Sequence, residues 1–255
     1  MSAAFELAEC LEACRRQHVM QLEICIDRIE SALAAQEGGA DRLEVCSSLA
    51  AGGTTPSRGL VQQCAERCQL ELMMMIRPHD GGFCFGSDDL DTMLRDIAVA
   101  KELGVHGIVF GVLADDGRVH LEQCRRLLDA ARPLQATFHR AFDVARDALE
   151  ALDDLLEVGV DRILTSGQAD TAQNGTSLIR QLVQRSGDRL SVMAGAGINA
   201  ANVTTLVRET GVHEVHASAS VVRRDSRGAN LGFGNSSRVT SSQKVRELVK
   251  TMQSL

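Results

Sequence analysis

Gly39-Ala40-Asp41-Arg42-Leu43 returns three more times along the chain, as Gly104-Val105-His106-Gly107-Ile108, Gly159-Val160-Asp161-Arg162-Ile163 and Gly211-Val212-His213-Glu214-Val215. Each copy has a glycine, a small apolar residue, two variable positions and an aliphatic residue. A helix-like stretch precedes each copy and a short strand-like run follows it. Glycine suits the position just past a helix, where φ turns positive. The copies lie 65, 55 and 52 residues apart, and each interval has room for two βα units. Four such quarters make eight strands and eight helices.

Working outward from this repeat, the apolar runs place strands at 22–25, 43–46, 70–77, 107–113, 135–140, 162–166, 190–194 and 214–218. The clearest helical pattern spans 87–103. Ser87 is its expected cap, Asp88 and Asp89 lie in its first turn, and Gly104 stops it. Thr55-Pro56 is expected to open another helix, and Asn199 to cap one. Alternating strands and helices imply an α/β fold with a parallel sheet. Eight units favour one closed (β/α)8 TIM-type barrel over an open doubly wound sheet, and no GxGxxG follows the first strand. Residues 21–255 are assigned to the barrel and residues 1–20 to a short N-terminal extension, helical over 5–17. Residues 222–242 are rich in Arg, Gly, Ser and Asn. They read either as a loop or as a lid over the barrel mouth.

Composition excludes several functions. The 255 residues are 44% hydrophobic and 24% charged, with net charge −7. An acidic chain without Trp or Tyr is a poor partner for nucleic acid or anionic membranes. The longest strongly apolar run, 72–76, is far too short to span a bilayer. Glu6, Glu9 and Glu12 argue against a signal peptide at the N-terminus. The eight cysteines form no CxxC pair, so a zinc ribbon is not expected. Free thiols in a reducing cytoplasm are.

Side chains alternate in and out along a strand. In the first strand Leu22, Ile24 and Ile26 share one face, and Glu23 and Cys25 the other. In the second, Leu43 and Val45 oppose Arg42, Glu44 and Cys46. If the aliphatic sets pack on helices, the polar sets enter the barrel, joined by Arg77, Thr137, His139, His216 and Ser218. Buried charge is costly unless paired, so Glu23 and Glu44 are expected to pair with Arg77 or another inward base. That network is either purely structural or part of a site. The repeated Glu-x-Cys on neighbouring strands brings Cys25 and Cys46 close, although barrel shear keeps them from being level. Two nearby thiolates suit a soft ion, Cu(I) above all.

Other signals point to an anion. Ala194-Gly195-Ala196-Gly197 ends the seventh strand, and small residues there let backbone N–H groups approach a ligand. Gly195, Gly197 and Ser218 are the candidate anion site. Cys10/Cys14 and Cys64/Cys68 stand at helical spacing, which fits packing better than metal binding.

The strings Leu22-Glu23-Ile24-Cys25, Gly38-Gly39-Ala40-Asp41-Arg42-Leu43-Glu44-Val45-Cys46, Gly52-Gly53-Thr54-Thr55-Pro56-Ser57, Ile76-Arg77-Pro78, Thr137-Phe138-His139-Arg140-Ala141-Phe142-Asp143, Leu164-Thr165-Ser166-Gly167 and Glu214-Val215-His216 together resemble the copper homeostasis protein CutC family. The resemblance implies a (β/α)8 barrel, a cytoplasmic location and a role in copper handling. It implies Cys25 and Cys46 as the Cu(I) ligands. The family commonly carries a second arginine after Arg77-Pro78, where this chain has His79.

Two functions follow as expectations. One is a cytoplasmic Cu(I)-binding protein, a possible homodimer or homotetramer, using Cys25 and Cys46. The other is a barrel enzyme acting on a small anionic substrate. There Glu23 or Glu44 would be the base and His139 the acid, with Arg77 holding the anion beside Gly195 and Gly197. The family brings no established reaction, so the first is preferred.

Overall fold

All four repeat glycines follow helices in the left-handed conformation: φ is 89° at Gly39, 68° at Gly104, 79° at Gly159 and 77° at Gly211. The computed structural model describes residues 20–224 and 236–255. Its barrel strands are β1 (Gln21–Ile26), β2 (Arg42–Val45), β3 (Glu71–Met75), β4 (Gly107–Phe110), β5 (Gln135–Phe138), β6 (Arg162–Thr165), β7 (Ser191–Ala194) and β8 (Glu214–Ala217). Between them run α1 (Ile29–Gly38), α2 (Arg58–Arg67), α3 (Ser87–Glu102), α4 (Leu121–Ala131), α5 (Ala148–Val158), α6 (Thr176–Ser186) and α7 (Val203–Thr210). Neighbouring strands are parallel and in chain order, and β8 pairs with β1 to close the barrel. The TIM-type barrel is therefore as expected.

After β8 the chain forms an antiparallel hairpin, β9 (Ser220–Arg224) with β10 (Ser236–Thr240), before the last helix, α8 (Ser242–Met252). The ends of the 222–242 segment are thus strands. Its middle, 225–235, lies outside the described residues, as does the helix expected over 5–17. The hairpin is anchored where the Thr240 N–H donates to Ser31 Oγ, 3.1 Å, on α1. Helices α1 and α8 meet so closely that a methyl group at Gly38 would overlap the Val245 side chain.

Three helix starts fall later or earlier than expected. Gly86, not Ser87, is the cap of α3, and Asp89 reaches back to accept from the Gly86 N–H at 3.3 Å. Ser57 caps α2 by accepting from the Leu60 N–H, so Pro56 precedes the helix. Asn202 stands before α7, while Asn199 closes the preceding turn by accepting from the Ala201 N–H at 2.9 Å. In each case a side-chain acceptor competes for free N–H groups, and sequence does not say which neighbour wins.

The inside–outside reading of the strands holds. Leu22, Ile24, Ile26, Leu43 and Val45 join the large core between barrel and helices. Cys46, Met73, Met75 and Val109 form a separate small cluster. On the other strand faces, Glu23, Arg42, Glu44, Thr137, Arg162 and Glu214 are buried polar side chains.

Candidate functional site

The β1–β2 register sets the site. Glu23 pairs with Arg42 and Cys25 with Glu44, while across the other ladder Glu23 is level with His216. The two Glu-x-Cys tripeptides are therefore offset by one inward step. Each inward residue of β1 meets the preceding inward residue of β2.

The lower layer is ionic. Arg42 Nε donates to Glu23 Oε2 at 2.6 Å and its Nη2 to Glu214 Oε2 at 2.5 Å. Arg162 Nε donates to the same Glu214 oxygen at 2.6 Å and its Nη1 to Thr137 Oγ1 at 3.1 Å. Ser191 Oγ donates to Glu214 Oε1 at 2.6 Å. Two carboxylates and two guanidiniums thus balance inside the barrel. The expected partner of Glu23 is the inward base Arg42 and not Arg77. Burial pushes the Glu23 carboxyl up, but Arg42, His216 and Arg162 together overcome this and hold it well below the carboxylate range.

Above this floor stands the reactive cluster. His216 Nδ1 lies 2.7 Å from Glu23 Oε1, which places a donated proton on Nδ1 and leaves Nε2 facing Glu44 Oε2 at 3.9 Å. Cys25 Sγ, a Glu44 carboxylate oxygen and a His216 ring nitrogen all lie within 4.8 Å of one another. Burial disfavours charge on His216, yet the acidic groups of Cys25 and Glu44 outweigh it and raise its pKa well above the ordinary value. Burial is the main reason that the Glu44 carboxyl is raised. Cys46 is fully buried, and its thiol donates to Glu44 Oε2 at 3.3 Å. Burial and the Glu44 carboxylate push that thiol well up. Cys46 thus approaches the cluster through Glu44.

Cys25, Glu44 and His216 line a cavity of about 480 Å³ at the C-terminal mouth of the barrel, where sites of this fold gather. Arg77, His139 and Phe83 line it too. Arg77 makes no ion pair to Glu23 or Glu44 among the described residues. Its Nη1 donates to the carbonyls of Ala51 and Gly53, and its Nη2 to that of Gly81, at 3.1, 2.9 and 2.7 Å. His139 Nδ1 accepts from the Ala141 N–H at 3.1 Å, so its single proton sits on Nε2. Burial, reinforced by Arg77, drives the His139 pKa down to about 3.

Of the anion candidates, Gly197 and Ser218 line the cavity. The Gly195 N–H is already committed to the Thr165 carbonyl at 2.9 Å, and Ser218 Oγ lies 3.2 Å from Ser220 Oγ. Cys64 is buried in α2 and Cys68 follows that helix, both packed with the outer core.

The sequence reading placed His216 inside the barrel but gave it no part in the site. It also passed over Arg162, Glu214 and Phe83. Alternation along β6 and β8 held the signal for the first two. Phe83 sits on a loop, where no periodicity exists to read.

The Phe-His-Arg-Ala-Phe-Asp and Leu-Thr-Ser-Gly strings meet at Asp143. Its carboxylate accepts from Thr165 Oγ1 at 2.5 Å, from the Ser166 N–H at 3.0 Å and from Arg140 Nε at 2.7 Å. Asp143 thus ties the β5 turn to the β6 turn at the cavity rim.

Known proteins resemble this chain in sequence and in fold. A CutC family protein of Histophilus somni is 43% identical over 226 residues, covering 89% of this chain and 93% of that protein. The human copper homeostasis protein cutC homolog is 42% identical over 216 residues, covering 85% and 78%. The crystal structure of a putative copper homeostasis protein CutC from Streptococcus agalactiae superposes with TM-score 0.75 at 31% identity, covering 78% of this chain and 99% of that one. A phosphoribosylanthranilate isomerase of Thermotoga maritima matches at TM-score 0.57 and 14% identity, a likeness of fold alone. The CutC family model spans residues 20–221, which include every strand of the barrel, and the chain belongs to the CutC family.

Proposed function

We propose that this protein handles copper by binding Cu(I) at the inner end of the barrel mouth, with Cys25 and Cys46 as thiolate ligands and His216 as the nitrogen donor. The observation that supports this reading is the approach of Cys25 Sγ, His216 and Glu44 to within 4.8 Å of one another. Thiolate and imidazole are the donors a soft monovalent ion selects, while a carboxylate is a poor one. Glu44 therefore acts as a proton acceptor for Cys46, whose thiol it already holds. Glu23 fixes the imidazole through Nδ1 and so presents Nε2, the carboxylate–histidine arrangement that orients metal ligands. The thiols and the His216 imidazolium must lose protons to bind, so loading releases protons. The six described cysteines are all free thiols, which suits the reducing cytoplasm in which Cu(I) is held.

The test is an anaerobic Cu(I) competition titration of the wild type against Cys25→Ser/Cys46→Ser and His216→Gln proteins. Affinity is expected to fall by about a hundredfold or more in the double cysteine variant. Equal affinity in the wild type and that variant would remove the reading.

A further inference from the structure

The geometry points to a second binding function at the same mouth: Arg77 and His139 form a site for a small carboxylate-bearing ligand, closed in this structure by the ring of Phe83. His139 follows β5, four strands from Cys25 on β1 in a ring of eight, while Arg77 follows β3, and both line the same cavity as Cys25. The site does not depend on copper.

Two orphaned donors carry the inference. Arg77 Nε and His139 Nε2 are both buried and have no hydrogen-bond partner. Both residues are 5% exposed. The His139 tautomer is fixed by the Ala141 N–H on Nδ1, so Nε2 must carry hydrogen and must donate. Arg77 spends both terminal nitrogens on backbone carbonyls, which leaves the Nε–H free; among the described residues the guanidinium makes no ion pair, and Asp80 acts on it only through its charge. A buried donor without an acceptor is unfavourable, and native proteins rarely keep two of them together without use.

The Phe83 ring packs against both groups. The Arg77 guanidinium carbon lies 4.9 Å from its centroid, and the His139 ring centroid 5.0 Å from it. An aromatic ring is only a weak acceptor for N–H groups. A carboxylate would accept from both donors and neutralise the guanidinium, a far stronger arrangement. Phe83 is half-exposed on the β3–α3 loop, and a Cβ added at Gly82 or Gly86 nearby would meet nothing within 4 Å. One positive charge and two N–H donors match a monoanion, whereas a cation is repelled by the guanidinium. The cavity of about 480 Å³ is the size of small-molecule sites.

The experiment is an NMR titration of the copper-free full chain with acetate, glycolate, oxalate and inorganic phosphate, following the Arg77 Nε–H and His139 Nε2–H resonances. Saturable binding of a carboxylate that shifts both resonances is expected. Arg77→Lys, which keeps the charge and loses the Nε–H, and His139→Phe should each weaken it at least tenfold. Phe83→Ala should strengthen it. The site is overturned if no carboxylate binds saturably, if binding leaves the two resonances unmoved, or if the folded variants bind as the wild type does. Tighter binding of phosphate than of every carboxylate overturns the assigned ligand class. Should both variants fail to fold, the wild-type shifts alone decide.

Discussion

Cys25 stands level with Glu44 across the β1–β2 ladder, and Cys46 stands one inward step beyond, its thiol bonded to the Glu44 carboxylate. The two sulfurs are therefore inequivalent. One lines the mouth beside an imidazole; the other is sealed and reaches the cluster through an acid.

Cys25→Ser is expected to lower Cu(I) affinity more than Cys46→Ser, by about tenfold or more between the two. Cys25 lies in the group with His216, whereas Cys46 must first give up its proton to a buried acid. Separate competition titrations of the two single variants check this, and equal losses would argue for a symmetric cysteine pair.

Glu23→Gln should weaken Cu(I) binding by about 10–100-fold while Cys25 and Cys46 remain. The amide can still meet Nδ1 but no longer raises the basicity of the Nε2 donor. The same titration, with a thermal melt to confirm folding, measures it. Because Glu23 also pairs with Arg42, some loss of stability accompanies the change.

Arg42→Met should destabilise the fold by about 3–5 kcal/mol, since it strands Glu23 and Glu214 in the barrel interior. Urea unfolding gives the number. A loss below about 1 kcal/mol would mean that Arg162 and His216 alone suffice to hold both acids.

Asp143→Ala should cost about 2–3 kcal/mol, since it removes the common acceptor of Thr165, Ser166 and Arg140. Faster hydrogen exchange at Ser166 and Gln168, whose N–H groups also point to this carboxylate, is the local signature.

His139 makes stability depend on pH. Its folded-state pKa is lowered from 6.5 to about 3. The unfolded chain therefore takes up a proton at a pH where the folded one does not. The contribution is present above about pH 6.5 and is lost as pH falls toward 3, on the order of a few kcal/mol in all. His139→Phe should flatten that part of the stability–pH curve, read by urea unfolding between pH 7 and 4.

The repeated glycine motif and the alternation of β1 and β2 were enough, by themselves, to determine the barrel and the inward set of Glu23, Cys25, Glu44 and Cys46. Both are local signals: a left-handed turn after a helix, and a two-residue period along a strand. Register is not local. The stagger between β1 and β2 decided that Cys25 meets Glu44 and that Glu23 meets Arg42, and closure of β8 onto β1 brought His216 to both. The sequence offers Arg77 or another inward base as partner for the glutamates because charge seeks charge, and Arg42 takes that place at Glu23. Only the tertiary structure shows that the carbonyls of Ala51, Gly53 and Gly81 reach Arg77 first. Phe83 follows the same rule, since a loop residue reveals its neighbours only after the strands around it have closed.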